Sequence, residues 1–242
     1  MSTNKTALHD FHRDGFVVLK KIVPKWLLPE IITRIDRFEF KAGDDWHPSY
    51  RYKNVFNRDT FWLQFIDLTP LANLAEAVLG SECHVIGETA WKSVPGHLGS
   101  PCHLDYCPNV LPKDVLATGY HHPAFIISAH IFPHVLTEEL GPTKVIAGSH
   151  RWAGNFQSLD NYVSVFPDPG DVLVFRSDLW HGGAPNQTSD QNRYLLQVHY
   201  AQRWISQRFH PYIEWKWNDD IWSQCNPRQK RLLGQHRLSN YD

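Results

Sequence analysis

The pattern of apolar and polar positions predicts a largely helical first third of the chain. Apolar residues recur at helical spacing over residues 26–38. A second helix is predicted from Thr69, as its N-cap, to a closing Gly80. A shorter helix is predicted over residues 6–14, followed by a short strand over residues 16–19.

From about residue 82 the pattern changes to short runs rich in β-branched and aromatic residues. These runs are CHVIGETAWKSV, AFIISAHIF, TKVIAGSH, DVLVF and RYLLQVHY. Turn-forming Pro and Gly separate them, as in GPT and DPG. Many short strands in one stretch are typical of a sandwich or a jelly-roll barrel. The middle of the chain is therefore expected to form a β core.

We predict one domain that is mainly β with flanking helices. Neither an internal repeat nor a flexible linker divides the sequence. Within residues 1–242 we expect a helical N-terminal part over about 1–80 and a β core over about 82–204. A polar, tryptophan-rich tail over 205–242 is expected to contain two short helices.

The charge balance argues against nucleic acid and anionic membrane as partners. Lys and Arg total 24 against 25 Asp and Glu, a formal net charge of −1, and the charges are dispersed. No run has the apolar length of a signal peptide or a membrane span. Four cysteines in 242 residues do not suggest a disulfide framework. We expect a cytoplasmic protein, monomeric or homodimeric, that acts on a small molecule.

The candidate chemistry begins in the stretch PCHLDYCPN. His103 and Asp105 are two residues apart, so on an extended segment both point to the same side. His181 follows a strand-like run and sits among small residues that leave room for a site. Two imidazoles and one carboxylate leave three coordination positions open, which suits Fe(II) with a chelating cosubstrate and O2. Arg193, twelve residues later, offers a guanidinium for a carboxylate.

Two other interpretations of this stretch stay open from the residues alone. His103 and Asp105 are also compatible with a pair of side chains on a surface loop. Cys102 and Cys107 could ligate zinc together with His103, although the spacing is loose and no second cysteine pair exists.

Five fragments, in order, resemble the phytanoyl-CoA dioxygenase (PhyH-like) family of Fe(II)/2-oxoglutarate-dependent oxygenases. They are FHRDGFVVL, HLDY, LGPTKVIAGSH, PGDVLVF and HGGAPN followed by Arg193. The resemblance implies a double-stranded β-helix, a cupin-like jelly roll, with the N-terminal helices packed outside. It also implies His103, Asp105 and His181 as metal ligands and catalytic residues, with Arg193 as the 2-oxoglutarate anchor.

The same resemblance implies an activity. Fe(II), 2-oxoglutarate and O2 are expected to oxidise, most often hydroxylate, a C–H bond of a small organic molecule, with release of succinate and CO2. Desaturation, epoxidation or cyclisation are other outcomes, whereas the presence of Asp105 argues against halogenation. A short, tryptophan-rich chain favours a specialised metabolite over a CoA thioester. The alternative from another class is a jelly-roll protein that binds a small ligand without turnover.

Five further residues are weaker candidates for ligand contacts. Trp91 and Lys92 precede the HLD motif, on a strand where cosubstrate contacts are expected. Gln197 shares the strand face of the anchor arginine and is a candidate for substrate contact. His130 and Tyr106 are also substrate candidates, although for His130 the sequence leaves open which face of its strand lines the cavity.

Overall fold

The computed structural model describes residues 2–38, 49–209 and 216–237. Parts of the predicted N-terminal region and tail lie outside these ranges. The helices are α1 (Ser2–Asp14), α2 (Leu28–Asp36), α3 (Leu63–Ile66), α4 (Thr69–Leu79), α5 (Lys113–Ala117), α6 (Asp219–Gln224) and α7 (Pro227–Leu232). The strands are β1 (Phe16–Leu19), β2 (Ser49–Lys53), β3 (His84–Ser93), β4 (Ser100–His103), β5 (Ile126–Ile131), β6 (Thr143–Ile146), β7 (Tyr162–Val165), β8 (Val172–Arg176), β9 (His181–Gly183) and β10 (Arg193–Ala201).

Within the described residues the strands form two sheets. The major sheet has the order β1-β8-β5-β10-β3-β2, and the minor sheet has the order β4-β9-β6-β7. Every pairing is antiparallel. From β3 to β6 and again from β7 to β10, consecutive strands alternate between the two sheets, which is the layout of a jelly roll.

Helices cover the outer face of the major sheet. Leu196 and Val198 of β10 are fully buried in one cluster with the helical residues Ile31 and Leu71 and with Trp62. Because side chains alternate along a strand, the odd-numbered residues of β10 face the minor sheet instead. The major sheet therefore separates the apolar core from the space between the sheets. None of the described helices has the length and apolarity to cross a membrane.

The N-terminal part is less purely helical than the sequence predicts. It supplies both edge strands of the major sheet, β1 and β2, and only β1 was predicted. The run SYRYK of β2 places Arg51 and Lys53 on the cavity face, so it lacks the apolar alternation that marks a half-buried strand. The predicted N-cap was also wrong by one residue, since Leu68 is the N-cap and Thr69 is already helical.

Asp171, in the turn before β8, fixes this turn to the end of β1. Its carboxylate accepts from the Lys20 ammonium at 2.7 Å, the Lys21 N–H at 2.8 Å and the Asp168 N–H at 3.1 Å. Burial alone would raise the pKa of Asp171, but these three hydrogen bonds together hold it below its ordinary value. The role of the PGD turn is therefore structural.

We expect Asp171→Asn to lower the free energy of unfolding by about 1–3 kcal/mol at neutral pH. A carboxyl group with a depressed folded-state pKa stabilises the protein above its unfolded-state pKa, and the contribution is lost as pH falls through the folded pKa. The difference between wild type and variant should shrink in acid. Urea unfolding of wild type and variant at neutral and at acidic pH tests this, with Asp190→Asn, at an exposed position, as control. A difference that persists unchanged in acid would contradict it.

Candidate active site

Three side chains converge where the minor sheet faces β5 and β10. His103 lies directly opposite His181 in the β4–β9 pairing, and Asp105 lies in the bend after β4. The potential ligand atoms of these three residues all lie within 4.8 Å of one another. The Asp105 carboxylate lies 3.6 Å from the Nε2 atom of each histidine. The sequence prediction of a shared site is therefore geometrically possible.

Glycine at position 182 allows these strands to approach. A Cβ atom there would lie 2.3 Å from the Tyr162 hydroxyl and 2.8 Å from the carbonyl oxygens of Ser100 and Pro101. Any larger residue would push β9 away from β4, and His181 would move with it.

The hydrogen bonds of the two histidines leave both Nε2 atoms as acceptors in the neutral rings. Nδ1 of His103 lies 2.7 Å from the Pro101 carbonyl, and Nδ1 of His181 lies 2.8 Å from the Leu179 carbonyl. A carbonyl only accepts, so each Nδ1 carries the proton. The two Nε2 lone pairs then face the Asp105 carboxylate, and this donor set fits a divalent cation.

The electrostatics of Asp105 and His181 favour the protonation states that bind metal. Burial would raise the pKa of Asp105, but its interaction with His103 and the nearby His181 and His199 hold that pKa well below its ordinary value. Burial lowers the pKa of His181, whereas interaction with Asp105 raises the pKa of His103. The carboxylate is thus anionic and His181 neutral near neutral pH.

Ser128, which is itself hydrogen-bonded to His199, orients the Asp105 carboxylate. The Ser128 hydroxyl lies 3.3 Å from Oδ2 of Asp105 and 2.9 Å from Nδ1 of His199. The hydroxyl has one proton to donate, so donation to Asp105 requires His199 to donate from Nδ1. Burial lowers the pKa of His199 to about 4, which keeps it neutral. Such supporting contacts fix the direction in which a ligand presents its oxygen.

A cavity of about 520 Å³ opens beside these residues, between the two sheets. This volume suits a small molecule together with a cosubstrate. It is lined by eight of the nine predicted site residues: His103, Asp105, His181, Arg193, Trp91, Gln197, His130 and Tyr106.

Lys92 is the ninth candidate, and it lies on the opposite face of β3. Its ammonium lies 2.6 Å from a carboxylate oxygen of Asp36 in α2. Adjacent residues on a strand point to opposite sides, so Trp91 and Lys92 cannot both face the cavity. We therefore do not retain Lys92 as a cosubstrate contact.

Arg193 is a half-buried cation at one end of the cavity. Its guanidinium donates to the Gly141 carbonyl and, at 3.2 Å, to the Ser93 hydroxyl, while Nε has no partner among the described residues. Burial lowers its pKa to about 10. No carboxylate of the described residues forms a salt bridge with it. Because a buried charge without a counter-ion is costly, this end of the cavity fits the carboxylate of a ligand.

A hydrogen-bonded chain crosses the cavity wall between Arg193 and the metal-ligand candidates. Trp91 Nε1 donates to Gln197 Oε1 at 3.0 Å, and Gln197 Nε2 lies 2.8 Å from His130 Nε2. His130 Nε2 therefore accepts, and Nδ1 donates to the Thr143 hydroxyl at 3.2 Å. Burial holds the pKa of His130 well below its ordinary value. The chain fixes the orientation of three candidates that the sequence suggested separately.

Sequence reasoning missed several cavity residues. Thr143 belongs to a strand that was predicted, but only strand pairing shows what it contacts. Lys53 and Arg208 line the cavity from distant parts of the sequence. In the described part of the chain, the cluster of potential metal ligands contains neither Cys102 nor Cys107, contrary to the zinc alternative.

Comparison with known proteins places this geometry in a family context. The sequence model of the phytanoyl-CoA dioxygenase (PhyH) family matches residues 11–194. Dioxygenase af480 of Aspergillus fumigatus is 26% identical over 181 residues, 72% of this chain and 55% of that protein. The iron/alpha-ketoglutarate-dependent dioxygenase okaE of Penicillium ochrochloron is 26% identical over 201 residues, 76% of this chain and 65% of that protein. The chain thus spans less than two thirds of the length of these two relatives.

Solved structures share the fold at low sequence identity. HygX from Streptomyces hygroscopicus, with nickel and 2-oxoglutarate bound, superposes with a TM-score of 0.69 at 17% identity, covering 84% of this chain and 89% of that chain. Another structure of HygX also holds hygromycin B. SnoN, an α-ketoglutarate-dependent epimerase from nogalamycin biosynthesis, superposes with a TM-score of 0.67 at 15% identity, covering 84% of each chain. The predicted fold class, a mainly β jelly roll with flanking helices, is confirmed.

Proposed function

The chain belongs to the phytanoyl-CoA dioxygenase family, and from this we propose that it is a non-haem Fe(II)- and 2-oxoglutarate-dependent oxygenase. Its substrate is a small organic molecule in which a C–H bond is oxidised. The observation that supports this most is the presence, in one cavity, of the three metal-ligand candidates and of Arg193, whose buried Nε atom has no partner among the described residues.

Each of these side chains has a role in the proposal. His103 and His181 would bind iron through Nε2, and Asp105 would bind it through a carboxylate oxygen. Three protein ligands leave three positions for cosubstrate and O2. Arg193 would hold the far carboxylate of 2-oxoglutarate through parallel hydrogen bonds.

The protein supplies positioning, while the bound groups supply the oxidation. When bound, Fe(II) and 2-oxoglutarate use O2 to oxidise the substrate, with release of succinate and CO2. The carbonyls of Pro101 and Leu179 hold the imidazoles in orientation, and Ser128 holds the carboxylate. Leu195 and Ile126 contribute apolar wall that excludes water from the reacting groups.

The substrate proposal is a specialised metabolite. The two fungal relatives are dioxygenases, and HygX binds the small molecule hygromycin B. Hydroxylation is the outcome we propose; SnoN is an epimerase on the same fold, so analysis of the product distinguishes hydroxylation from other outcomes. A cytoplasmic location stays a prediction.

The test is succinate formation by the purified protein with Fe(II), 2-oxoglutarate and O2. We expect slow, iron-dependent conversion of 2-oxoglutarate even without the true substrate, and faster conversion with it. Iron-free protein is the control. If the protein neither binds iron nor forms succinate, it is a jelly-roll protein that binds a ligand without turnover.

A further inference from the structure

The register of β3 shows how far apart along the strand the backbone positions of two cavity cations, Arg193 and Lys53, lie. Arg193 pairs with Ser93 at one end of β3, whereas Lys53 of β2 pairs with Thr89, four residues away. At about 3.3 Å per residue, the two levels are separated by roughly 13 Å along the strand. Lys53 is therefore at a different level of β3 from Arg193, the candidate 2-oxoglutarate anchor.

Arg208 lies still farther along the same wall. Its backbone N–H donates to the carbonyl of Ile86 at 2.8 Å, and its side chain lines the cavity. Arg208 and His199 line the same cavity, and His199 pairs with Gly87, next to Ile86 on β3. His199 contacts Ser128 behind Asp105. Lys53 and Arg208 thus flank the level at which the metal-ligand candidates lie.

The lining offers these two cations no acidic partner. Among the described residues that line the cavity, Asp105 is the only carboxylate. None of the salt bridges between described residues involves Lys53 or Arg208. With the proposed function, Asp105, a divalent metal, the dianionic cosubstrate and Arg193 together carry no net charge. The charges of Lys53 and Arg208, like that of Arg51 on the same face of β2 as Lys53, lie outside this balance.

We propose that the substrate is an anion whose carboxylate, phosphate or sulfate group binds between Lys53 and Arg208. The inference rests on the proposed function and narrows its substrate class. The acidic group would hold the substrate at the level of Asp105. The reacting carbon of the substrate would then face His103 and His181 across the cavity. Because Lys53 and Arg208 lie in two distant parts of the chain, the sequence does not show them as one basic patch.

The experiment compares acids with their amides. Protein loaded with Mn(II) and 2-oxoglutarate is titrated calorimetrically with several pairs of compounds. Each pair is an acid and the amide of the same shape, such as naphthalene-2-carboxylate with its amide and 4-phenylbutanoate with its amide. In at least one pair the acid should bind about tenfold or more tightly than the amide. The preference should weaken at high salt, because Lys53 and Arg208 are exposed to solvent.

Charge-removing variants locate the contact. Lys53→Gln and Arg208→Gln should each weaken acid binding by about three- to tenfold, while binding of the amide and of 2-oxoglutarate stays at the wild-type value. Lys113→Gln, which removes an exposed lysine of α5 outside the cavity lining, is the matched control and should change nothing.

Three results would overturn the inference. They are equal affinity of acid and amide throughout the panel, absence of acid binding at millimolar concentration, and an acid preference that survives in the Lys53→Gln/Arg208→Gln double variant. Failure of wild-type protein to bind Mn(II) and 2-oxoglutarate would instead contradict the proposed function on which the inference rests.

Discussion

His181→Ala is expected to abolish turnover and to lower Fe(II) affinity by more than about a hundredfold. Loss of a supporting contact alone typically weakens metal binding ten- to a hundredfold, and loss of a ligand exceeds that. Two remaining ligands, His103 and Asp105, hold Fe(II) poorly. Calorimetric titration with Mn(II) under nitrogen measures the affinity, and succinate formation in air measures the turnover.

Two further variants separate loss of a ligand from loss of fold. His181 is buried, so its replacement could disturb β9, whereas the side chain of His103 is 40% exposed. His103→Ala should lose metal binding to the same extent while keeping the thermal unfolding midpoint of wild type. The exposed His121→Ala should keep both properties. Wild-type metal stoichiometry in either ligand variant would show that the metal-ligand assignment is wrong.

Local spacing explains how the sequence suggested two of the metal-ligand candidates. His103 and Asp105 are two residues apart at the end of a strand, so no long-range information is needed to place both on one side. Local spacing does not place His181, because only the pairing of β9 with β4 brings it opposite His103. The ordered motifs of the family supplied that pairing indirectly.

Strand parity shows where sequence reasoning ends. It groups Arg193, Gln197 and His199 on one face of β10, and the structure places all three on the cavity. Parity alone does not say whether Trp91 or Lys92 faces inward, because that depends on the register between β3 and β10. In the structure Trp91 pairs with Leu195, and its ring reaches Gln197, so Lys92 is left on the helical side.

Sequence reasoning could not bring Lys53 and Arg208 together, for another reason. Lys53 lies on an edge strand without apolar alternation, and Arg208 follows the last strand of the core. They are 155 positions apart in the sequence, and only the folded sheet brings both to one wall. Composition had suggested dispersed charge, which is true of the whole chain and not of this cavity.

Arg193→Ala is expected to weaken 2-oxoglutarate binding by roughly a hundred- to a few-thousandfold. Removing one partner of a buried charged pair typically costs ~3–5 kcal/mol, which corresponds to that range of affinity. Metal affinity should stay at the wild-type value, because the guanidinium contacts Gly141 and Ser93 and none of the metal-ligand candidates. The measurement is the 2-oxoglutarate concentration dependence of succinate formation.

A conservative variant and a displaced candidate complete the test of the anchor. Arg193→Lys should restore binding only in part, since one ammonium does not reproduce the planar, two-pronged contact of a guanidinium. Lys92→Ala is the matched control. The Lys92 ammonium pairs with Asp36 on the helical side of β3, so the half-saturation constant of this variant for 2-oxoglutarate should equal that of wild type. An unchanged constant in Arg193→Ala would place the cosubstrate's far carboxylate elsewhere. If the half-saturation constant for 2-oxoglutarate rose in Lys92→Ala but not in Arg193→Ala, Lys92 would be the residue that binds the cosubstrate's far carboxylate.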